Sequence, residues 1–322
     1  MISVALCTYN GSKYLAKQLD SILNQEDYVP DEIIICDDNS TDNTIEVLSR
    51  YKSKYPKIIN IHQNEFNLGS NLNFKKAISL CTGDYIFLSD QDDLWKKDKT
   101  KKTITFLNNH PEIEAVFTNA DLIDDNDKIS NNATLWDAIS FFEKELPKPI
   151  AFLSTIALNG NIATGATMCF KGNWKKEIVS IIKKTGNLHD ELIAKKLAFN
   201  SKLGYIAENL TSYRIHQNQQ VGIKKKSKIK AKLRVKRIAL GLEVPKNTIE
   251  LRHLFVKQYS RYKTFINLHY DIDLEQNNVK QKALIQASKK DCEETLSKIK
   301  KSNFLLYIYF ILIDKITRKR QL

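Results

Sequence analysis

The sequence predicts an α/β fold, in which a parallel-rich sheet carries helices on both faces and a basic, mainly helical C-terminal region follows. Through the first 120 residues, short apolar runs alternate with segments whose apolar residues recur every three or four positions. Strands joined by such short helical connections pair in parallel, and the helices cover the sheet. An excess of basic residues in the last hundred positions marks the separate C-terminal region.

Four strands and three helices are predicted in the alternating part. The strands are Ile2–Leu6, Glu32–Cys36, Ile58–His62 and Tyr85–Leu88. The helices are one carrying Leu15, Leu19, Ile22 and Leu23, one carrying Ile45 and Leu48 with Ser40 or Asp42 as its cap, and Asn71–Leu80. Beyond residue 130 we predict a strand near Thr167–Phe170, helices near Asn173–Lys184 and His189–Phe199, and a strand near Leu203–Ile206.

Charge divides the chain at about Gly222. Residues 1–222 carry 25 Lys and Arg against 28 Asp and Glu, whereas residues 223–322 carry 25 against 9. We therefore predict one domain over 1–222 and a basic region over 223–322 that meets an anionic partner. The basic segment Lys224–Arg237 and the apolar run Phe304–Ile313, which basic residues flank, suit a helix in an anionic membrane interface. A merely solvated helical bundle is the alternative, and the lack of aromatic residues among the basic ones argues against nucleic acid.

Cysteines and apolar runs bear on the compartment. The five cysteines form no C-x-x-C pair, which predicts reduced, buried thiols. The first residues read directly as a strand, which predicts no signal peptide, and the longest apolar run has about half the length of a membrane-spanning helix. We expect a cytoplasmic protein, with peripheral attachment at the inner face of the cell membrane as a further hypothesis.

Polar clusters follow three of the predicted strands. They are Thr8-Tyr9-Asn10, Asp37–Ser40 and Ser89–Asp93. In open α/β sheets, ligands bind in the crevice beyond the carboxyl ends of the strands, so these clusters predict the binding site. The absence of a Gly-x-Gly-x-x-Gly and of a Walker lysine argues against a dinucleotide cofactor or an ATP site.

Asp90 and Asp92 are candidates for a metal site. In an extended segment, residues two apart point to the same side, so both carboxylates face one spot. Oxygen ligands of this kind suit Mg²⁺ or Mn²⁺, which would stabilise a departing diphosphate. The alternative is that Asp92 and Asp93 cap the next helix.

Other candidates serve the nucleotide and the proton transfer. Asp38 can accept the N3–H of uracil or thymine while Tyr9 stacks on the base, although an Asx-turn also explains this cluster. Asp190 is the preferred general base for the proton transfer, with His189 and Glu191 as alternatives. The other interpretation is that the acidic residues in this first turn only interact favourably with the helix dipole. Arg214 and His216 share one face and can contact phosphate or metal.

Taken in order, four motifs resemble family 2 glycosyltransferases of the GT-A fold. The motifs are Cys7–Gly11, Asp37–Asp42, Asn67–Gly69 with Asn73, and Gly83–Tyr85 leading to Ser89–Trp95. The resemblance extends over about 222 residues and implies a metal-dependent, inverting single displacement. Within this family, the chain is similar to the bacterial rhamnosyltransferase branch of surface-polysaccharide synthesis. The motifs that carry this similarity are Asp90–Trp95, His189-Asp190 and Tyr213–Gln219. The Arg that many relatives carry before the matched Asn73 is Leu72 here, so one phosphate contact would come from elsewhere.

From the residues and the resemblance together we predict these roles. Donor-nucleotide contacts are Thr8, Tyr9, Asn10, Asp38, Asn73 and Asp90; metal ligands are Asp92 and Asp90, with His216 as a further candidate; the catalytic base is Asp190; and the acceptor or sugar side has Trp95, Gly165, His189, Glu191 and Arg214. The donor is a dTDP- or UDP-sugar, rhamnose being favoured, and the acceptor is a glycan or a lipid-linked sugar. The alternatives are a sugar nucleotidyltransferase and a non-enzymatic anion-binding protein acting through its basic region.

Overall fold

A computed structural model describes residues 1–217, 219, 230–274, 278–317 and 319–320. The chain forms two compact units, Met1–Phe141 with Ala163–Lys225, and Phe142–Ile162 with Lys226–Leu322. The segment Phe142–Ile162, which lies inside the predicted first domain, therefore clusters with the C-terminal helices. The boundary predicted at Gly222 and residues 224–229 of the basic segment lie outside the described residues.

The first unit contains a nine-stranded mixed sheet. In chain order its strands are β1 (Ile2–Thr8), β2 (Glu32–Asp37), β3 (Ile59–Gln63), β4 (Tyr85–Ser89), β5 (Leu94–Trp95), β6 (Ala115–Ile123), β7 (Ile129–Thr134), β8 (Met168–Lys171) and β9 (Leu203–Arg214). Their order across the sheet is β3-β2-β1-β4-β8-β6-β9-β5, and β7 pairs with β6. The half from β3 to β4 is parallel, and β8 joins it antiparallel to both β4 and β6.

The helices of the first unit connect these strands. They are α1 (Ser12–Leu23), α2 (Thr44–Lys54), α3 (Ser70–Leu80), α4 (Lys99–Asn109), α5 (Leu135–Ile139), α7 (Lys175–Ile181) and α8 (His189–Phe199), while α6 (Phe152–Asn159) belongs to the second unit. The α1 residues Leu15, Leu19 and Ile22 are fully buried, as their spacing predicts. The prediction of an α/β fold with a parallel-rich sheet is confirmed.

Each parallel strand extends past its apolar run into polar residues. Thr8, Asp37, Gln63 and Ser89 all lie within the sheet, which the apolar pattern alone did not indicate. The register places Thr8 beside Asp37 and Ser89 beside Leu6, so the carboxyl ends of β1, β2 and β4 are neighbours. At the next turn, Asp42 accepts the backbone N–H of Thr44, at the start of α2, at 3.0 Å. The N-cap of α2 is Asn43, so the predicted cap at Ser40 or Asp42 is wrong. Asp42 lies one residue before the cap and accepts its bond from there.

The second unit is helical in its described part. Besides α6 it contains α9 (Lys230–Ala239), α10 (Thr248–Ile272), α11 (Val279–Ser302) and α12 (Phe304–Ile316). Helix α6 packs against α10 and α9, and α10 packs along α11. A small core contains Phe255, Tyr259, Cys292 and Ile299. None of the described helices, in either unit, combines the length and the apolar character needed to cross a bilayer. All five cysteines lie within the described residues and are buried, as predicted.

The junction of β4 and β8 depends on a glycine. The backbone N–H of Gly172 donates to the carbonyl of Asp84 at 2.7 Å, and a Cβ at position 172 would lie 2.3 Å from the carbonyl oxygen of Gly83. Because that oxygen is backbone, Gly172→Ala should lower the free energy of unfolding in urea by about 2 kcal/mol. The neighbouring exposed variant Asn173→Ala should cost less than about 0.5 kcal/mol. A Gly172→Ala protein as stable as the parent would contradict this close approach.

Candidate active site

Asp37 joins the loops that follow β1 and β2. Its buried carboxylate accepts the hydroxyl of Thr8 at 2.8 Å and the backbone N–H of Ser40 at 2.9 Å. The amide oxygen of Asn10 accepts the backbone N–H of Thr41 at 2.8 Å, which adds a second link between the loops. The bond from Ser40 to Asp37 spans three residues, whereas the Asx-turn considered for this cluster is made by Asp42, which accepts the backbone N–H of Thr44 two residues on. Of the predicted donor contacts, Thr8 is buried beside Asp37 and Asn10 is exposed.

Asp38 is held by a ring of donors. Its carboxylate accepts the side-chain amide of Asn64 at 2.8 Å and the backbone N–H groups of Leu68 and Gly69 at 2.7 and 2.9 Å. Gly69 has φ +83°, a conformation that favours glycine and directs its N–H at the carboxylate. Asn73 does not bond Asp38 itself but holds Asn64. Its amide oxygen accepts the side-chain amide of Asn64, and its amide nitrogen donates to the carbonyl of Cys36. Leu68 and Gly69 therefore hold Asp38 directly, and Asn73 holds it through Asn64.

Gln91 connects the first and fourth strand ends. Its side-chain amide accepts the backbone N–H of Tyr9 at 2.8 Å and donates to the carbonyl of Tyr9 at 3.0 Å. A Cβ on Gly11 would lie 2.1 Å from the oxygen of this amide, so the glycine leaves room for Gln91. Gln91 therefore positions the loop that carries the partly exposed Tyr9.

Four carboxylates meet beyond β4. Burial raises the pKa of Asp90 to about 7, the charges of Asp92 and Asp190 add to the rise, and the charge of Lys99 opposes it. Burial and the charges of Asp92 and Asp90 likewise hold the pKa of Asp93 well above its ordinary value. Asp93 accepts the backbone N–H of Arg214 at 2.9 Å, and its other oxygen is buried and has no hydrogen bond to any residue that the structure describes. The structure therefore brings the predicted residues Asp90, Asp92 and Asp190 into one electrostatic neighbourhood.

Asp92 and His216 form a pair. The carboxylate oxygen of Asp92 lies 2.8 Å from Nε2 of His216, and both side chains are largely buried. Neither Asp92 nor Asp93 caps the next helix, because the short strand β5 follows them and the N-cap of α4 is Asp98. The helix-cap alternative is thus wrong for both residues.

Arg214 is buried beneath this pair. Its side chain is 0% exposed, Nε donates to the carbonyl of Asp92 at 2.6 Å, and another guanidinium nitrogen donates to the carbonyl of Asp124 at 2.7 Å. The guanidinium also lies 4.5 Å from the ring centre of Tyr14 and pairs with Asp127 at 2.6 Å. Arg214 therefore supports the Asp92 backbone from inside the protein, and this geometry does not place it against a phosphate or an acceptor.

Lys99 is a buried cation that the sequence analysis missed. Its ammonium donates to the carbonyl of Ala166 at 2.8 Å and to the hydroxyl of Thr211 at 3.0 Å, and it lies 4.1 Å from the ring centre of Trp95. Burial lowers its pKa to about 7, while the charge of Asp93 acts in the opposite direction. The available signal was spacing, since Lys99 precedes the buried residues Thr103 and Leu107 by four and eight positions.

The predicted base lies in the first turn of α8. Asp190 accepts the backbone N–H of Gly165 at 3.0 Å, and a Cβ on Gly165 would lie 3.1 Å from the ring of His189. The His189 ring stacks on Phe74 with centroids 3.9 Å apart, and burial lowers its pKa to about 3. The structure thus brings Gly165, His189 and Asp190 together. Glu191 instead pairs with Lys195 of the same helix at 2.8 Å.

Trp95 is a core residue in this structure. It is 5% exposed, belongs to the main apolar cluster and lies 5.4 Å from Phe87 between ring centroids. Its strand β5 pairs with β9, opposite Thr211. The geometry therefore gives no support to the predicted contact between Trp95 and the sugar or acceptor.

The Asp92–His216 pair fits a divalent metal. Two ligands at neighbouring octahedral positions lie roughly 3 Å apart when each is about 2.1 Å from the ion, which is close to the observed Asp92–His216 distance. Within the described residues, no group of three or more His, Cys, Asp or Glu side chains is arranged to hold a metal. A metal at this pair would therefore complete its coordination with water and substrate oxygens.

Comparison with known families identifies the chain. Residues 3–172, more than half of the sequence, match the family described as Glycosyl transferase family 2. The chain belongs to glycosyl transferase family 2. The match includes the clusters from Thr8 to Trp95 and Gly165, and it ends before Asp190. The predicted family is confirmed.

Curated relatives of this family 2 chain include two named sugar transferases. The dTDP-rhamnosyl transferase RfbG of Shigella flexneri is 42% identical over 126 residues, which cover 38% of this chain and 40% of the relative. Abequosyltransferase RfbV of Salmonella typhimurium is 32% identical over 168 residues, which cover 50% of this chain and 49% of the relative. The chain thus spans half or less of the length of these relatives.

Solved structures confirm the GT-A fold. The crystal structure of S. aureus TarS 1-349 in complex with UDP-GlcNAc has a TM-score of 0.55 at 16% identity, covering 90% of this chain and 92% of that chain. A second structure of S. aureus TarS 1-349 has a TM-score of 0.54 at 17% identity, covering 92% and 82%. At this level of identity the likeness concerns the fold.

The raised pKa of Asp90 gives a stability test. Its carboxyl has a pKa of about 7 in the folded chain against an ordinary value of 3.8, so folding stability falls as the pH rises from about 4 to 7. Asp90→Asn removes this cost and should raise the free energy of unfolding at pH 8 by on the order of 2 kcal/mol. The gain should vanish towards pH 4, as measured by urea denaturation in the presence of a chelator.

Asp42→Asn is the matched control. Burial acts to raise the pKa of Asp42, but hydrogen bonds from Ser12 and Thr44 prevail and lower it. The ionised form therefore stabilises the fold, and Asp42→Asn should reduce stability at pH 8. A loss of stability in Asp90→Asn at pH 8 would contradict the crowding of charges beyond β4.

Proposed function

We propose that the chain is an inverting glycosyltransferase that moves a sugar, with rhamnose favoured, from a dTDP- or UDP-sugar to a growing surface polysaccharide or a lipid-linked acceptor. The observation that carries this proposal is the convergence of Asp90, Asp92 and Asp190. The first two residues follow β4, on the side of the predicted donor contacts, and the third opens α8. One place therefore holds carboxylates suited to a metal-bound diphosphate and a carboxylate suited to proton transfer.

Asp190 is the proposed general base. In a single displacement, it takes the proton of the acceptor hydroxyl while that oxygen bonds to the anomeric carbon and the bond from that carbon to the diphosphate oxygen breaks. Attack opposite the leaving group inverts the anomeric configuration. The backbone N–H groups of Gly165 and Glu191 hold the two carboxylate oxygens at 3.0 and 2.7 Å. A fixed carboxylate of this kind keeps its lone pairs directed at one spot.

The two alternative bases fit less well. His189 has a pKa lowered to about 3 by burial, so its imidazole is neutral and a weak base, and its ring stacks on Phe74. Glu191 is engaged in an ion pair with Lys195. We therefore propose that His189 and Gly165 position Asp190.

We propose that Asp92 and His216 hold Mg²⁺ or Mn²⁺, with Asp90 beside them. When bound, such an ion neutralises charge on the departing diphosphate. The chain itself fixes the Asp92 backbone through Arg214, and it fixes His216 against the ring of Tyr14, with centroids 5.0 Å apart. Both side chains therefore keep their positions before any ligand arrives.

Asp38 supports the choice of a pyrimidine nucleotide. One of its carboxylate oxygens accepts two hydrogen bonds, from Asn64 and Leu68, whereas the other accepts only that from Gly69 among the described residues. The second oxygen retains a lone pair for the N3–H of uracil or thymine. The dTDP donor and the rhamnose are proposed from the name of RfbG, and the family match leaves the sugar-nucleotidyltransferase alternative without support.

The role of Asp190 predicts a separation of binding from transfer. Asp190→Asn should lower sugar transfer about 10³-fold, because the acceptor proton loses its base. The rise in melting temperature caused by the donor should stay unchanged. Glu191→Gln, in the same helical turn, is the control and should keep most of the activity. Equal losses in both variants would place the base elsewhere.

The donor class is tested by thermal stabilisation in the presence of Mn²⁺. We expect dTDP- and UDP-sugars to raise the melting temperature and CDP-sugars to have little effect, because cytosine lacks the N3–H. Asp92→Asn should remove the Mn²⁺-dependent part of this rise. Stabilisation by CDP-sugars equal to that by UDP-sugars would contradict the role of Asp38, and an unchanged Mn²⁺ dependence in Asp92→Asn would contradict the proposed metal site.

A further inference from the structure

Helix α12 exposes one apolar face. Six of its residues have 39% to 79% of their surface exposed, namely Phe304, Leu305, Ile308, Tyr309, Leu312 and Ile316. At about 100° per residue they fall within an arc of about 140°. A contiguous apolar stripe on the surface marks an interaction site far more often than isolated exposed residues do.

The opposite side of α12 is already packed. Tyr307 and Phe310 contact the small core of the second unit, and the buried Asp314 accepts hydrogen bonds from Arg252 and Arg320. The guanidinium of Arg252 also lies 5.0 Å from the ring centre of Phe310. The helix is thus anchored by its inner side, so packing within the described chain does not account for the apolar stripe.

Exposed lysines lie at both ends of the stripe. Lys298, Lys300 and Lys301 end helix α11 immediately before α12. At the other end, Lys315 and Lys319 are also exposed. Lys315 belongs to the exposed side of the helix, since it follows Ile308 by seven positions. The surface therefore combines an apolar stripe with positive charge at its two ends.

We propose that this face of α12 docks on an anionic lipid surface, with the apolar stripe among the acyl chains and the lysines at the head-group phosphates. The charge of the lysines complements an acidic membrane and not an apolar protein partner. The 13 residues of α12 extend about 20 Å, against roughly 30 Å of bilayer hydrocarbon, so the helix lies in the interface and does not cross it. Such docking would bring the chain to lipid-linked acceptors.

Vesicle co-sedimentation tests the proposal without any donor or acceptor, so its result is independent of the proposed reaction. The parent chain should bind vesicles of phosphatidylcholine with phosphatidylglycerol more strongly than vesicles of phosphatidylcholine alone. Leu305→Glu with Leu312→Glu should weaken this binding by roughly tenfold or more. The control is Ile249→Glu with Val279→Glu, two exposed apolar residues outside α12, and it should bind like the parent.

A charge variant tests the same surface without altering the apolar stripe. Lys298→Gln, Lys300→Gln and Lys301→Gln together should weaken binding to the anionic vesicles, and high salt should have the same effect on the parent. Lys282→Gln, Lys289→Gln and Lys290→Gln change the same net charge on the same helix and should have a smaller effect. Absence of binding by the parent, or equal binding by the Leu305 and Leu312 variant, would overturn the proposal. Self-association of the parent that this variant abolishes, without vesicle binding, would identify a second copy as the occupant and overturn it too.

Discussion

The mutual repulsion of the carboxylates beyond β4 is the constraint on which the rest of the site depends. Asp90, Asp92, Asp93 and Asp190 act on one another in surroundings where water screens charge poorly. Protonation and the charge of the buried Lys99 offset this cost. Lys99 donates to the backbone carbonyl of Ala166, and Arg214, whose charge pairs with Asp127, donates to the backbone carbonyls of Asp92 and Asp124. The same bonds fix the backbone beside Gly165 and at Asp92, so balancing the charge also orders the site.

Two adjacent aspartates at the end of β2 hold the loops on the side of the crevice where we propose that the nucleotide binds. Asp37 joins the loops after β1 and β2, and Asp38 orders the loop before α3 through Leu68 and Gly69. Because successive side chains of a strand point in opposite directions, one pair of residues can serve both sides of the crevice. Hydrogen bonds within the protein thereby hold the loops of the crevice in place. Fewer groups have to be ordered when a ligand binds, so the entropic cost of binding is smaller.

The parallel half of the sheet could be predicted because its strands are buried on both faces and read as uninterrupted apolar runs. The mixed half could be predicted only in part: β8 and the start of β9 were expected, whereas β5, β6 and β7 were not, and β9 continues for eight residues beyond the predicted end at Ile206. A register shift between Thr118 and Ala120 of its partner β6 interrupts the alternation there. Asp90, Asp92, Asp190 and His216 were predicted from carboxylate and imidazole chemistry at element ends. Lys99 was missed because sequence gives a lysine's charge but not its burial, and Trp95 was placed at the site although its ring is in the core.

The segment Phe142–Ile162 belongs to the helical unit although it lies between two segments of the sheet unit, and this limits where the chain can be cut. The polypeptide leaves the sheet unit after Phe141, contributes α6 to the helices that follow much later, and returns at Ala163. Most of the inner surface of α6 is buried against α10 and α9. A fragment that stops near residue 222 would keep α6 but lose α9 and α10. The apolar side of α6 would then be exposed to solvent in the middle of the fragment. Exchange of the residues beyond 222 for a different sequence would therefore also remove the surface on which α6 packs.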